Sequence, residues 1–205
     1  TRLRPNSVSR SGLNGTVMAV AVVGADVYVG GFFTNAGGNA DADRIARWDG
    51  SAWHAVGGGL NNAVRSIAVV GESIYVGGSF TDPGGVDSAD YFARWDGAAW
   101  NALGTGLNGA VYAIAVVGAD VYVGGDFTEA GGNGNAEHIA RWDGSSWQAL
   151  GSGLSTLVRA LAVAGGNLYA GGNFTDAGGD ANADYIARWD GSSWHALGTG
   201  LSDTV

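Results

Sequence analysis

The sequence reads as an all-β protein, a β-propeller of four-stranded antiparallel blades with four blades per chain, and three features say so. A unit of 47 residues recurs without insertion or deletion: Gly-Leu pairs begin at Gly12, Gly59, Gly106, Gly153 and Gly200. Inside each unit, short apolar and β-branched runs alternate with hairpin turn residues, four runs to a unit. The first run holds small residues and the last two hold tryptophans, the gradient of bulk that a wedge narrow at an axis requires. No stretch shows helical periodicity.

Four complete units run 12–58, 59–105, 106–152 and 153–199, and the string Arg-Trp-Asp-Gly keeps the same step from Arg47 to Arg94, Arg141 and Arg188. Residues 1–11 form an N-terminal segment that reads as a degenerate outer strand. Residues 200–205, "GLSDTV", open an incomplete fifth repeat.

In the first unit, "VMAVAVV" suits a strand buried on both faces. Gly24-Ala25 follows, and glycine first in a two-residue loop predicts a type II′ hairpin. "DVYVGG" is the second strand, closing on glycines that permit close backbone approach. A polar loop, "TNAGGNADAD", leads to the third strand, "RIARW". Asp49-Gly50 predicts a type I′ turn into "SAWHAV", the fourth strand.

Composition narrows the function. The chain of 205 residues is 46% hydrophobic and 14% charged, with a formal net charge of −9 and ten arginines as its only basic side chains apart from three histidines. That balance excludes nucleic acid as a partner, since phosphate binding needs clustered cations. No cysteine is present, which removes disulfides and thiolate chemistry. The apolar runs are too short to span a bilayer as helices, so membrane insertion is not expected.

The glycine pair closing the second strand, with a tryptophan on the fourth, resembles the kelch motif of galactose-oxidase-like propellers. The fuller string "VYVGG-FT-AGG…IARWDG-SW-ALG-GL", over residues 12–199, is more similar still to a repeat of large secreted bacterial proteins and a yeast cortical polarity protein. The resemblance implies an extracellular or cell-surface propeller. It implies no reaction, because that family shares no catalytic residues. Kelch-like rings usually hold six or more blades, so four blades can close alone, two chains can form one eight-bladed ring as a homodimer, or the chain can belong to a longer array.

The copies can be compared with one another. The Trp-Asp-Gly turn is identical in all four units, whereas divergence gathers on the opposite, loop-bearing face. One position reads Met18, Arg65, Tyr112, Arg159; a second reads Arg44, Tyr91, His138, Tyr185; a third reads Phe32, Ser79, Asp126, Asn173. Arginine and tyrosine anchor binding surfaces through area plus directional hydrogen bonds. These residues are the expected ligand-binding face, with drift at exposed loop ends as the bland alternative. The loops between the second and third strands offer calcium candidates, Asn39, Asp41 and Asp43; Asn133, Asn135 and Glu137; Asp180, Asn182 and Asp184. Asx turns explain the same pattern better, and no other cofactor is indicated.

Enzymatic motifs are missing: no nucleophile elbow, phosphate loop or zinc-helix string occurs. His54 and His195 are equivalent positions on different blades and form no cluster with His138. The expected function is therefore a non-catalytic extracellular scaffold binding a protein or glycan surface multivalently through its loop face. A carbohydrate-binding lectin is the narrower alternative; a glycan-acting hydrolase with a carboxylate pair and a ligand-free amplified array of blades are the rivals.

Overall fold

The structure, a computed structural model, describes residues 12–201; the expected degenerate outer strand in 1–11 and most of the incomplete repeat fall outside them. Among the described residues, sixteen strands form four separate four-stranded antiparallel sheets. Blade 1 comprises β1 (Val17–Val23), β2 (Asp26–Gly31), β3 (Ile45–Trp48) and β4 (Trp53–Ala55). Blade 2 comprises β5 (Val64–Val70), β6 (Ser73–Gly78), β7 (Phe92–Trp95) and β8 (Trp100–Asn101). Blade 3 comprises β9 (Ala110–Val117), β10 (Asp120–Asp126), β11 (Ile139–Trp142) and β12 (Trp147–Ala149). Blade 4 comprises β13 (Val158–Ala164), β14 (Asn167–Gly172), β15 (Ile186–Trp189) and β16 (Trp194–Ala196). No helix among the described residues is long and apolar enough to cross a membrane.

The chain is thus a four-bladed propeller, and its inner strands pack in succession, β1 on β5, β5 on β9 and β9 on β13. No comparable packing joins β13 back to β1 among the described residues, so the blades follow an arc. The core lies between blades. Phe33, Phe80, Phe127 and Phe174, one per blade, are fully buried. Each blade also pairs its two tryptophans across the outer strands, as Trp48 and Trp53 do with ring centroids 5.3 Å apart.

Glycine makes the close approach of blades possible. A Cβ at Gly77 would sit 2.5 Å from Val111 Cγ1 of the next blade, so only the bare backbone leaves room for that valine. The Gly-led hairpin turns keep the expected sign pattern in three blades: Gly24, Gly71 and Gly118 have φ near +60° and the residue after each is not left-handed. In blade 4 both Gly165 and Gly166 have positive φ, the sign pattern of type I′.

Two sequence expectations are corrected. The Asp49-Gly50 type I′ turn does not form, because Asp49 is not left-handed and the loop is four residues long, from Asp49 to Ala52, closing on the Trp48–Trp53 pair. Its carboxylate takes over the turn: Asp49 Oδ1 accepts from the backbone N–H of Ser51 at 2.8 Å and of Ala52 at 2.8 Å, competing with the tighter hairpin. The inner strand is not buried on both faces in every blade. In β1 exposed and half-buried residues alternate from Met18 onward, and in β13 most residues are exposed, since these strands bound the arc.

Candidate functional site

Every inner strand carries the same irregularity. The register between β1 and β2 shifts between Val17 and Ala19, and equivalent shifts fall at Val64/Ser66, Gly124/Gly125 and Val158/Ala160. The extra residue in each case is Met18, Arg65, Tyr112 or Arg159. A bulge leaves its residue unpaired and re-aims its side chain. Here the four bulged residues line one cavity of about 280 Å³, to which each blade contributes one side chain.

The cavity wall is chemically mixed. Met18 is half-exposed. The guanidinium carbon of Arg65 lies 5.0 Å from the centroid of the Tyr112 ring, a cation–π contact that holds both in place. Arg159 Nε donates to Asn173 Oδ1 at 2.8 Å, and Arg65 Nε reaches Ser79 Oγ at 3.5 Å. Neither arginine has a carboxylate partner among the described ion pairs, unlike Arg47, which meets Asp26 at 2.6 Å, and Arg141, which meets Asp120 at 3.1 Å. Two guanidinium groups with uncommitted donors therefore face one cavity in an acidic protein, an arrangement whose chemistry suits an anionic group.

Acidic loops line separate grooves between blades. Between blades 1 and 2 a glycine-rich groove of about 350 Å³ is lined in part by Asp43, Gly57, Gly58, Gly59, Asp82 and Gly84. A similar groove of about 230 Å³ between blades 3 and 4 includes Glu137, Gly153, Asp176 and Gly178. The sequence reading did not single these grooves out, although the recurring glycines with positive φ beside each Gly-Leu pair were their signal.

The three divergent positions do not all line this cavity. Ser79 and Asn173 brace the cavity arginines, and Phe32 and Asp126 are exposed at the same place on their blades. Arg44, Tyr91, His138 and Tyr185 do not line the cavity; all four have left-handed backbones, with φ of 64°, 63°, 59° and 62°. Two of them bond back to their own blades: Arg44 Nη1 donates to the Phe32 carbonyl at 2.5 Å, and buried His138 places Nδ1 3.3 Å from the Gly125 carbonyl.

The calcium candidates make turns. Asn39 Oδ1 accepts from Asp41 N–H at 3.0 Å, Asn133 Oδ1 from Asn135 N–H at 3.0 Å and Asp180 Oδ1 from Asn182 N–H at 2.9 Å, each an Asx turn. Asp43 and Asp184 accept across their loops from Asn35 at 2.7 Å and Asp176 at 2.9 Å. Glu137 Oε1 stands 3.7 Å from His138 Nε2. No group of three or more His, Asp or Glu among the described residues is placed to share an ion. On the opposite face, His54 and His195 bind turn aspartates Asp49 and Asp190 on separate blades, each at 2.5 Å.

No family model and no curated protein matches the chain. Among solved structures it is similar to the computationally designed Ika4 protein, at 17% identity and a TM-score of 0.53, covering 87% of this chain and 92% of that one. It is also similar to the computationally designed Ika8 protein, at 18% identity and a TM-score of 0.53, covering 92% of this chain and 50% of that one. Both likenesses concern fold alone, and the chain spans about half the length of the second.

Proposed function

We propose that this protein is a non-catalytic binding scaffold of the kelch-like, galactose-oxidase type, acting outside the cytoplasm and receiving an anionic group of a protein or glycan surface at its axial mouth. One observation carries the reading: Arg65 and Arg159, both on bulges, converge with Met18 and Tyr112 on one cavity and lack carboxylate partners among the described ion pairs. The Tyr112 ring and the Asn173 amide hold them where bulk water would otherwise let long side chains wander. Met18 supplies an apolar contact beside the charges. The extracellular placement rests on the resemblance of the repeat.

A glycan ligand is the narrower reading. The polar fringe of Ser79, Asp126 and Asn173 beside Tyr112 offers hydroxyl-reading groups next to an aromatic face, the combination that recognises sugars. Hydrolysis by a carboxylate pair finds less support, because the cavity lining contains no carboxylate.

The test is binding to an array of sulfated, uronic-acid and neutral glycans together with acidic and neutral peptides. Acidic ligands are retained, the retention weakens with added salt, and the bound glycan is recovered intact. Arg65→Ala and Arg159→Ala each weaken binding by about 10-fold or more, the scale of a charge-assisted hydrogen bond. Full affinity of the double variant for every ligand found, or cleavage of a bound glycan, overturns the proposal.

A further inference from the structure

The two ends of the arc are the two halves of one interface. At each internal junction a glycine of one blade receives aliphatic side chains of the next: Gly30 faces Val64 and Ile67, Gly77 faces Val111 and Ile114, and Gly124 faces Val158 and Leu161. At two of the three junctions a tryptophan also donates across the blades, whereas Trp100 Nε1 at the first is buried without a partner among the described residues. Trp147 Nε1 donates to the Leu103 carbonyl at 2.8 Å, and Trp194 Nε1 to the Leu150 carbonyl at 3.1 Å, each acceptor lying one blade back.

Blade 1 presents the entering half of that junction. Val20 and Val22, which correspond to Ile67 and Val69, are each 59% exposed, and Trp53 is less buried than Trp100, Trp147 and Trp194. Blade 4 presents the receiving half. Ala160 and Ala162 are exposed, whereas their counterparts Ala113 and Ala115 are only 8% and 9% exposed. Tyr169, Ile186 and Leu197 are partly exposed where the equivalent residues of the other blades are buried.

We infer that a second copy of this chain covers both faces, blade 1 of each copy packing on blade 4 of the other, so that two chains close one ring of eight blades about a twofold axis. The entering and receiving faces already fit at three junctions within one chain, so the fourth junction needs no new chemistry. Two such contacts are made at once, and closure leaves neither face free to recruit a third copy. The second copy's Trp53 then donates to the Leu197 carbonyl, continuing the Trp147–Leu103 and Trp194–Leu150 series. The axial mouth gains a second set of Met18, Arg65, Tyr112 and Arg159, so the site of one chain is half of a larger one. The inference goes beyond the ligand reading and does not need it.

Light scattering on the eluting 205-residue chain tests it without any ligand. The expected mass is twice the 20.6 kDa chain mass, unchanged across roughly a hundredfold dilution into the low micromolar range. Val20→Glu places an unpaired charge in both contacts and raises the dissociation constant by about 100-fold or more; far-ultraviolet circular dichroism confirms that the separated chain stays folded. Ala162→Arg strikes the opposite face and gives the same result. His54→Gln, on the turn-bearing face, leaves the mass unchanged. A wild-type chain of single mass, a mass that keeps growing with concentration, or dimers that survive both face substitutions overturn the inference.

Discussion

At the scale of single residues, the paired glycines ending each second strand have different duties although the sequence writes them alike. A Cβ at Gly77 would press on the Val111 side chain at 2.5 Å, whereas one at Gly78 would press on the Ala63 backbone carbonyl oxygen at 2.1 Å. A side chain in a core can shift by changing rotamer, but a carbonyl held by a strand ladder can move only with its backbone. Gly77→Ala is therefore expected to destabilise by about 1–3 kcal/mol, the ordinary cost of overpacking. Gly78→Ala is expected to cost more than Gly77→Ala and to broaden or split the transition. Urea unfolding midpoints at unchanged slope measure the first; equal midpoints for the two variants would contradict the assignment. The left-handed backbones of Arg44, Tyr91, His138 and Tyr185 make a related point, because three kinds of side chain tolerate one strained conformation where the fold imposes it.

At the scale of an element, the Trp-Asp-Gly loop shows a carboxylate acting as a turn. Asp49 is held well below the ordinary carboxylate range, first by the Ser51 hydroxyl and then by the Ala52 and Ser51 N–H groups. Asp143 and Asp190 are lowered comparably, chiefly by backbone N–H donors. Asp96, followed by alanines that offer no hydroxyl, comes down only to about 2. A folded-state value below the unfolded one means that the stabilisation is complete above the unfolded value of about 4. It is then lost as pH falls through the folded value. The unfolding temperature is thus expected to be flat from neutral pH to about 5 and to drop below 4, and Asp143→Asn should flatten that drop more than Asp96→Asn does. Calorimetry between neutral pH and pH 2 checks it; a drop already under way near pH 6 would assign acid sensitivity to other groups. The inner strands were legible because the first run stops at a glycine and the second closes on a glycine pair, and β1 and β2 begin and end where their runs do. The loop was misread because Asp-Gly signals a two-residue turn only when no side chain captures the N–H groups. The bulges were not foreseen. A bulge adds a residue without changing the apolar pattern, so Met18, Arg65, Tyr112 and Arg159 stood out through divergence and not through geometry.

At the scale of the whole molecule, nearest-neighbour packing sets the energetics, because each blade touches only the next and stability approximates a sum over junctions. A residue at a junction is then worth what its neighbour lets it contact. Trp147 and Trp194 each close a junction with a hydrogen bond to the preceding blade. Trp53 occupies the same place on blade 1 with no acceptor among the described residues, and Trp100 at the first internal junction likewise has none. In a closed two-chain ring its acceptor is the second copy's Leu197 carbonyl, so Trp53→Phe should cost about as much as Trp194→Phe, roughly 1–3 kcal/mol for an indole donor and its packing. In the Val20→Glu background, where chains are separate, Trp194→Phe should keep its cost and Trp53→Phe should fall within about 0.5 kcal/mol of neutral. That difference between two equivalent tryptophans is a coupling energy, and it isolates the closing junction from the stability of the blade itself. Equal costs in both backgrounds would mean that Trp53 is held within its own chain and that the open end of the arc needs no second copy.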